Sequence, residues 1–79
     1  MTKITLYTKD NCSLCDIVEE TLASLHPLYP HKLVKVDITA DHDLYLKYRY
    51  TIPVVTIGQT TLHAPITALQ LAEVLRAEG

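Results

Sequence analysis

Tyr7-Thr8-Lys9-Asp10-Asn11-Cys12-Ser13-Leu14-Cys15-Asp16 is the stretch whose reading decides the fold. It holds both cysteines of the chain, spaced C-x-x-C. Residues 3–8 lead into it with Ile4, Thr5, Leu6 and Tyr7, the β-branched and aromatic content of a strand. Leu14, Val18, Leu22 and Leu25 lead out at helical spacing, with Ile17 widening the stripe and Asp16, Glu19, Glu20 and Ser24 elsewhere on the wheel. The pattern predicts a strand, a tight loop and a helix over Leu14–Leu25, with Cys12 at the helix start and Cys15 one turn in. A thiol at that start faces unpaired backbone N–H groups and the positive end of the helix dipole. Both favour the thiolate, which is the nucleophile of disulfide chemistry, so the Cys12 pKa is expected below that of a free thiol.

Working outward, Pro27 ends the helix and Leu28-Tyr29-Pro30-His31 forms a loop. Leu33–Ile38 reads as a second strand with Val34, Val36 and Ile38 on one face. Asp41 is placed to cap a short helix from His42 to about Tyr48, whose inner stripe would be Leu44, Tyr45 and Tyr48. Tyr50-Thr51-Ile52-Pro53 breaks it, because a residue before proline avoids the helical region. Pro53–Ile57 is a strand, Gly58-Gln59 a two-residue hairpin turn and Thr60–His63 the returning strand. After the connector Ala64-Pro65-Ile66, Thr67 and Gln70 have capping-box spacing. Leu71, Val74 and Leu75, with Leu69 and Ala72, carry a last helix to Gly79. The order β-α-β-α-β-β-α predicts an α/β domain. Its first two strands are parallel through a right-handed helical crossover, and its last two form an antiparallel hairpin. The result is a mixed four-stranded sheet with helices on both faces.

Seventy-nine residues make one domain over residues 1–79, in which roughly 60% of the unfolded surface is buried. A net charge of -2 argues against a nucleic-acid surface. No apolar run approaches the ~20 residues of a membrane span, and the first residues go straight into a strand pattern without the look of a signal peptide. A C-x-x-C pair in that setting fits a cytoplasmic redox motif, in a protein expected to be a monomer.

C-x-x-C pairs also serve other chemistries. C-x-x-C is half of many zinc sites, but zinc wants about four ligands. There is no second cysteine pair, and His26, His31, His42 and His63 are read as lacking the H-x3-5-H spacing of paired ligands, so no metal is expected. Haem attachment would need histidine where Asp16 stands. A purely structural cysteine pair stays open, since buried cysteine packs as a small hydrophobe. In the redox reading, Cys12 attacks a substrate disulfide and Cys15, on the same helical face, resolves the mixed disulfide. Lys9 favours the Cys12 thiolate, while Asp10 and Asp16 oppose it. Pro53 reads either as a strand-starting proline or as a cis-proline opposite the cysteines. In the second case the backbone of Ile52 would pair with an extended substrate. Tyr45, Tyr48 and Tyr50 with Lys47 and Arg49 read as ordinary packing of a short helix with solvated charges.

Taken together, Tyr7-Thr8-Lys9 before Cys12-Ser13-Leu14-Cys15, and Thr51-Ile52-Pro53-Val54 before a hairpin, make the chain resemble the glutaredoxin-like branch of the thioredoxin superfamily. It looks most like the small bacterial glutaredoxin-like proteins. The resemblance implies a thioredoxin-like fold, a cis peptide at Pro53, and Cys12 as nucleophile with Cys15 resolving. It also implies that Lys9 and the Ile52 backbone lie beside a bound glutathione. Two departures stand out. Ser13-Leu14 replaces the usual Pro-Tyr between the cysteines, and His63-Ala64-Pro65-Ile66-Thr67 replaces a Gly-Gly turn that helps hold glutathione. Glutathione is therefore expected to bind weakly, with Thr67 at the start of the last helix as partial compensation. The function expected is a thiol–disulfide oxidoreductase acting on protein, peptide or small-molecule disulfides. It would have no tightly bound cofactor and would be recycled by glutathione or a thioredoxin reductase. A glutathione-ligated iron–sulfur carrier using Cys12, or a binding module without redox turnover, is the alternative. A structural domain with vestigial cysteines is a third reading.

Overall fold

A computed structural model describes residues 1–78. Along them run β1 (Thr2–Thr8), α1 (Ser13–Leu25), β2 (His31–Asp37), a 3₁₀ turn (Ile38–Ala40), α2 (His42–Tyr48), β3 (Val54–Ile57), β4 (Thr60–His63) and α3 (Ala68–Glu78). The sheet order is β2-β1-β3-β4, so the strand that feeds the cysteine loop is flanked on both sides. β1 and β2 are parallel, from Thr2↔His31 to Thr8↔Asp37, with α1 as the crossover. β3 lies antiparallel on the other edge of β1, pairing Ile4↔Ile57 and Tyr7↔Val54, and β4 pairs antiparallel with β3. Gly58 opens the hairpin turn at φ 58°, a conformation that glycine adopts freely. A Cβ there would also run into the carboxylate of Glu78.

The two-residue repeat of the strands sorts the core into two faces. Ile4, Leu6, Val55 and Ile57 point one way and pack with Val18 and Leu22 of α1 and Leu71 and Leu75 of α3. Tyr7 and Val54 point the other way and join Ile38, Leu44, Tyr48 and Ile52 under α2. Tyr7 and Tyr48 stack obliquely, ring centroids 4.8 Å apart. The sheet therefore carries helices on both faces, as the element order predicts. Both expected caps are made. Asp41 Oδ1 accepts the N–H groups of Asp43 (3.0 Å) and Leu44 (3.1 Å). Gln70 N–H donates to Thr67 Oγ1 (3.1 Å) while Thr67 N–H donates to Gln70 Oε1 (2.8 Å).

Three helical faces differ from the sequence reading. α1 buries Cys15, Val18 and Leu22 and leaves Leu14 57% and Ile17 56% exposed. The buried row starts at Cys15, which fills space against the sheet as a small hydrophobe does, and that rotates Leu14 to the rim. In α2, Leu44 and Tyr48, one turn apart, supply the inner face, while Tyr45 stays exposed beneath the guanidinium of Arg49. In α3, Leu71 and Leu75 are buried and Leu69 faces solvent.

β2 also shifts. It begins at His31, read above as loop, and ends at Asp37. There the carboxylate accepts the N–H (2.9 Å) and hydroxyl (2.6 Å) of Thr39 and turns the chain into the 3₁₀ segment. Ile38 thus leaves the strand face assigned to it and is buried on the α2 side. Pro53 is buried just before β3 instead of starting it. The last residue expected in the final helix, Gly79, lies outside the described residues.

Candidate active site

The loop from β1 to α1 turns sharply at Asn11, whose φ of 61° is one that asparagine tolerates better than most side-chain-bearing residues. Cys12 then occupies the N-cap of α1 in extended conformation. Its Sγ accepts the backbone N–H of Cys15 at 3.2 Å, and its carbonyl accepts the N–H of Asp16 at 3.1 Å. The sulfur thus takes the place that a serine or aspartate oxygen has in an ordinary cap. Cys15 sits on the core side of the first turn, 1% exposed, whereas Cys12 is half-exposed. The two form a disulfide, with Cα atoms 5.3 Å apart. In the reduced state this arrangement offers an accessible sulfur with an N–H donor aimed at it and a sheltered sulfur within bonding reach.

Beside the loop lies a groove of about 250 Å³ lined by Thr8, Lys9, Asp10, Asn11, Asp16, Glu19, Lys35 and Asp37. Its four carboxylates face two ammonium groups, and one of these, Lys35, is paired with Glu19 at 3.1 Å. Hydrogen bonds from the hydroxyl and N–H of Thr39 hold the Asp37 carboxyl below its ordinary pKa. Lys9, exposed, lines this groove among the carboxylates.

Ile52–Pro53 is a cis peptide, as the resemblance implies. Ile52 packs against the cluster of Ile38, Tyr48 and Val54, and its N–H donates to the Tyr48 carbonyl at 3.1 Å. The Ile52 N–H is thereby engaged within the protein. The carbonyl of Thr51 accepts the N–H of Ala64 at 3.3 Å, which ties this segment to the connector before Thr67. Ala64–Pro65 is cis as well, a feature the sequence reading did not anticipate. Thr67 has its hydroxyl and its N–H both partnered by Gln70. Leu14 and Ile17, which the sequence reading placed on the inward stripe of this helix, present exposed apolar surface beside the cysteines. Weighing Cys15 as a core residue would have revealed them. Among the described residues no helix is long and apolar enough to cross a membrane.

Comparison with known proteins agrees with this fold. A family model, the glutaredoxin-like domain (DUF836), matches residues 3–76. The crystal structure of the structural-genomics target protein XcR50 from X. campestris is 32% identical, with a TM-score of 0.81 over 94% of this chain and 96% of that one. Oxidised thioredoxin O2 from Arabidopsis thaliana superposes with a TM-score of 0.74 at 17% identity, over 98% of this chain and 74% of that one. Oxidised mitochondrial thioredoxin 3 from Saccharomyces cerevisiae gives 0.73 at 17% identity, over 96% and 77%. The two thioredoxins establish the thioredoxin-like fold alone. No curated protein matches the sequence.

Proposed function

The chain belongs to the glutaredoxin-like domain family (DUF836), and on that premise we propose that it is a thiol–disulfide oxidoreductase with Cys12 as nucleophile and Cys15 as resolving thiol. The observation that carries the reading is the asymmetry of the pair: Cys12 is half-exposed at the N-cap and accepts the Cys15 N–H, while Cys15 is buried beneath it. A hydrogen-bond donor and a helix N-terminus favour the thiolate at Cys12. That thiolate attacks one sulfur of a substrate disulfide, and the other sulfur leaves as a thiolate. Cys15, losing its proton, then attacks Cys12 Sγ and expels the second substrate sulfur. Two electrons pass to the substrate and the protein is left as the Cys12–Cys15 disulfide. Turnover then needs an external reductant, either glutathione or a flavoprotein of the thioredoxin reductase class.

The substrate we favour is a protein or peptide disulfide in the cytoplasm, where thiol reductants are maintained, with the protein acting as a monomer. Lys9, the Ile52 carbonyl, Pro53 and the start of α3 at Thr67 would frame it. Glutathione is the poorer fit. It is an anion, and the groove beside Lys9 is lined by four carboxylates. Ile52 has one backbone group left to offer, and Gln70 already occupies Thr67. The test is reduction of an insulin-type protein disulfide, followed in one arm with glutathione and glutathione reductase and in the other with thioredoxin reductase. Turnover in at least one arm that disappears in Cys12→Ser is expected. Absence of turnover in both arms would overturn the proposal.

A further inference from the structure

The redox chemistry makes no use of His31, the buried polar side chain at the start of β2, which is 5% exposed. Its Nδ1 lies 2.8 Å from the carbonyl oxygen of Tyr29. A carbonyl can only accept, so Nδ1 carries the proton, and in the neutral tautomer Nε2 is the nitrogen that holds the lone pair. No side-chain nitrogen or oxygen among the described residues is both sealed from solvent and unpartnered, so Nε2 is reached from outside. His31 lines a cleft of about 520 Å³ together with Glu19, Ala23, His26, Pro27 and Leu33. His26, exposed at the C-terminal end of α1, stands opposite, with ring centroids 5.0 Å apart and planes at 64°.

We propose that His26 and His31 bind a divalent transition-metal ion of the zinc, nickel or copper class through one imidazole nitrogen each. The distance fits. A metal at ~2.0–2.1 Å from an imidazole nitrogen lies about 3.2 Å from the ring centre, so two rings sharing it at tetrahedral or right-angled geometry have centres about 4.5–5.2 Å apart. The donor is already oriented, because a ligating histidine typically gives its other N–H to a carbonyl or carboxylate, as His31 does to Tyr29. Imidazole is a preferred donor for these metals. The spacing is also that of paired zinc-binding histidines, with four residues between His26 and His31, which corrects the sequence reading that denied it. Among the described residues no three histidine, cysteine, aspartate or glutamate side chains converge, so the protein supplies two donors and the remaining positions are open to water. Glu19, at the cleft wall, is held by Lys35. Ten residues lie between Cys15 and His26, eleven helical steps that span about 16 Å at ~1.5 Å per residue. Metal binding is therefore independent of the thiol chemistry.

The test uses the oxidised protein, whose cysteines are closed to metal, and Cu²⁺ as a paramagnetic probe at neutral pH. Substoichiometric Cu²⁺ is expected to broaden the imidazole NMR signals of His26 and His31 while those of His42 and His63 persist. Calorimetry with Zn²⁺ and Cu²⁺ should give one site, unchanged in the Cys12→Ser/Cys15→Ser variant. Outer-shell partners of ligating histidines are worth ~10–100-fold in affinity, so losing one of two ligands in His26→Gln should cost no less than ~10-fold. Equal broadening of all four histidines, or unchanged affinity in His26→Gln, would show that the two rings merely pack.

Discussion

Replacing Cys15 by serine is expected to arrest the protein as a mixed disulfide on Cys12, and the geometry sets the length of the arrest. In the native protein the resolving sulfur is held one helical turn from its target, with Cα atoms 5.3 Å apart and Cys15 packed in place at 1% exposure. Without it, only an external thiol can release the adduct. Well-oriented intramolecular reactions reach effective molarities of ~10⁵ M or more, and even ~1 M would outrun external thiol at ~1 mM by about 10³-fold. The Cys15→Ser adduct should therefore outlive the native mixed disulfide at least about a thousandfold at that thiol concentration. The assay exposes reduced protein to a small disulfide, quenches aliquots in acid and follows the adduct mass as glutathione is added. The reciprocal Cys12→Ser protein should form adduct slowly, because its remaining thiol is buried. An adduct on Cys15 forming as fast as one on Cys12, or a Cys15→Ser adduct that clears at the native rate, would refute the assignment of roles.

Leu22→Ala, at a fully buried position of α1, should cost ~2–5 kcal/mol in chemical denaturation. Leu14→Ala, on the same helix but 57% exposed, should stay within about 0.5 kcal/mol; equal losses would contradict the burial of α1. Oxidised glutathione titrated into Cys12→Ser should shift amides near Lys9 and Ile52 weakly and without saturation, since each lost charge-assisted contact is worth ~1.5–3 kcal/mol. Saturable micromolar binding that also moves Thr67 would restore a plain glutathione site. Asp37 has its pKa depressed in the folded state by Thr39. Its contribution to stability is thus present above the unfolded carboxylate pKa and is lost as pH falls through the lower folded value. Asp37→Asn should flatten the acid side of the stability–pH curve, and an unchanged slope would remove Asp37 from the acid response.

Much of this molecule is legible locally. Residues 3–8, the C-x-x-C step into a helix, the Asp41 cap, the Gly58-Gln59 turn and the Thr67–Gln70 box are each set by neighbours within a turn or two. Hydrogen bonds and side-chain periodicity over that range are written in the chain itself. The placement of Cys12 at a helix start is of this kind, and so the chemistry could be read early. Which way α1 faces could not be read so directly, because the sheet that buries Cys15 and turns Leu14 and Ile17 outward is assembled from strands distant in sequence. The Ile52 N–H offers another instance. The family resemblance implied the cis peptide at Pro53, but whether the Ile52 N–H was free depended on the Tyr48 carbonyl. His26 and His31 show the same division. Their spacing lies in the sequence, but their meeting required β2 to start at His31 and bring its ring beneath the end of α1. Local order follows from short-range bonding, whereas facing, exposure and the convergence of side chains follow from packing between elements the chain keeps apart.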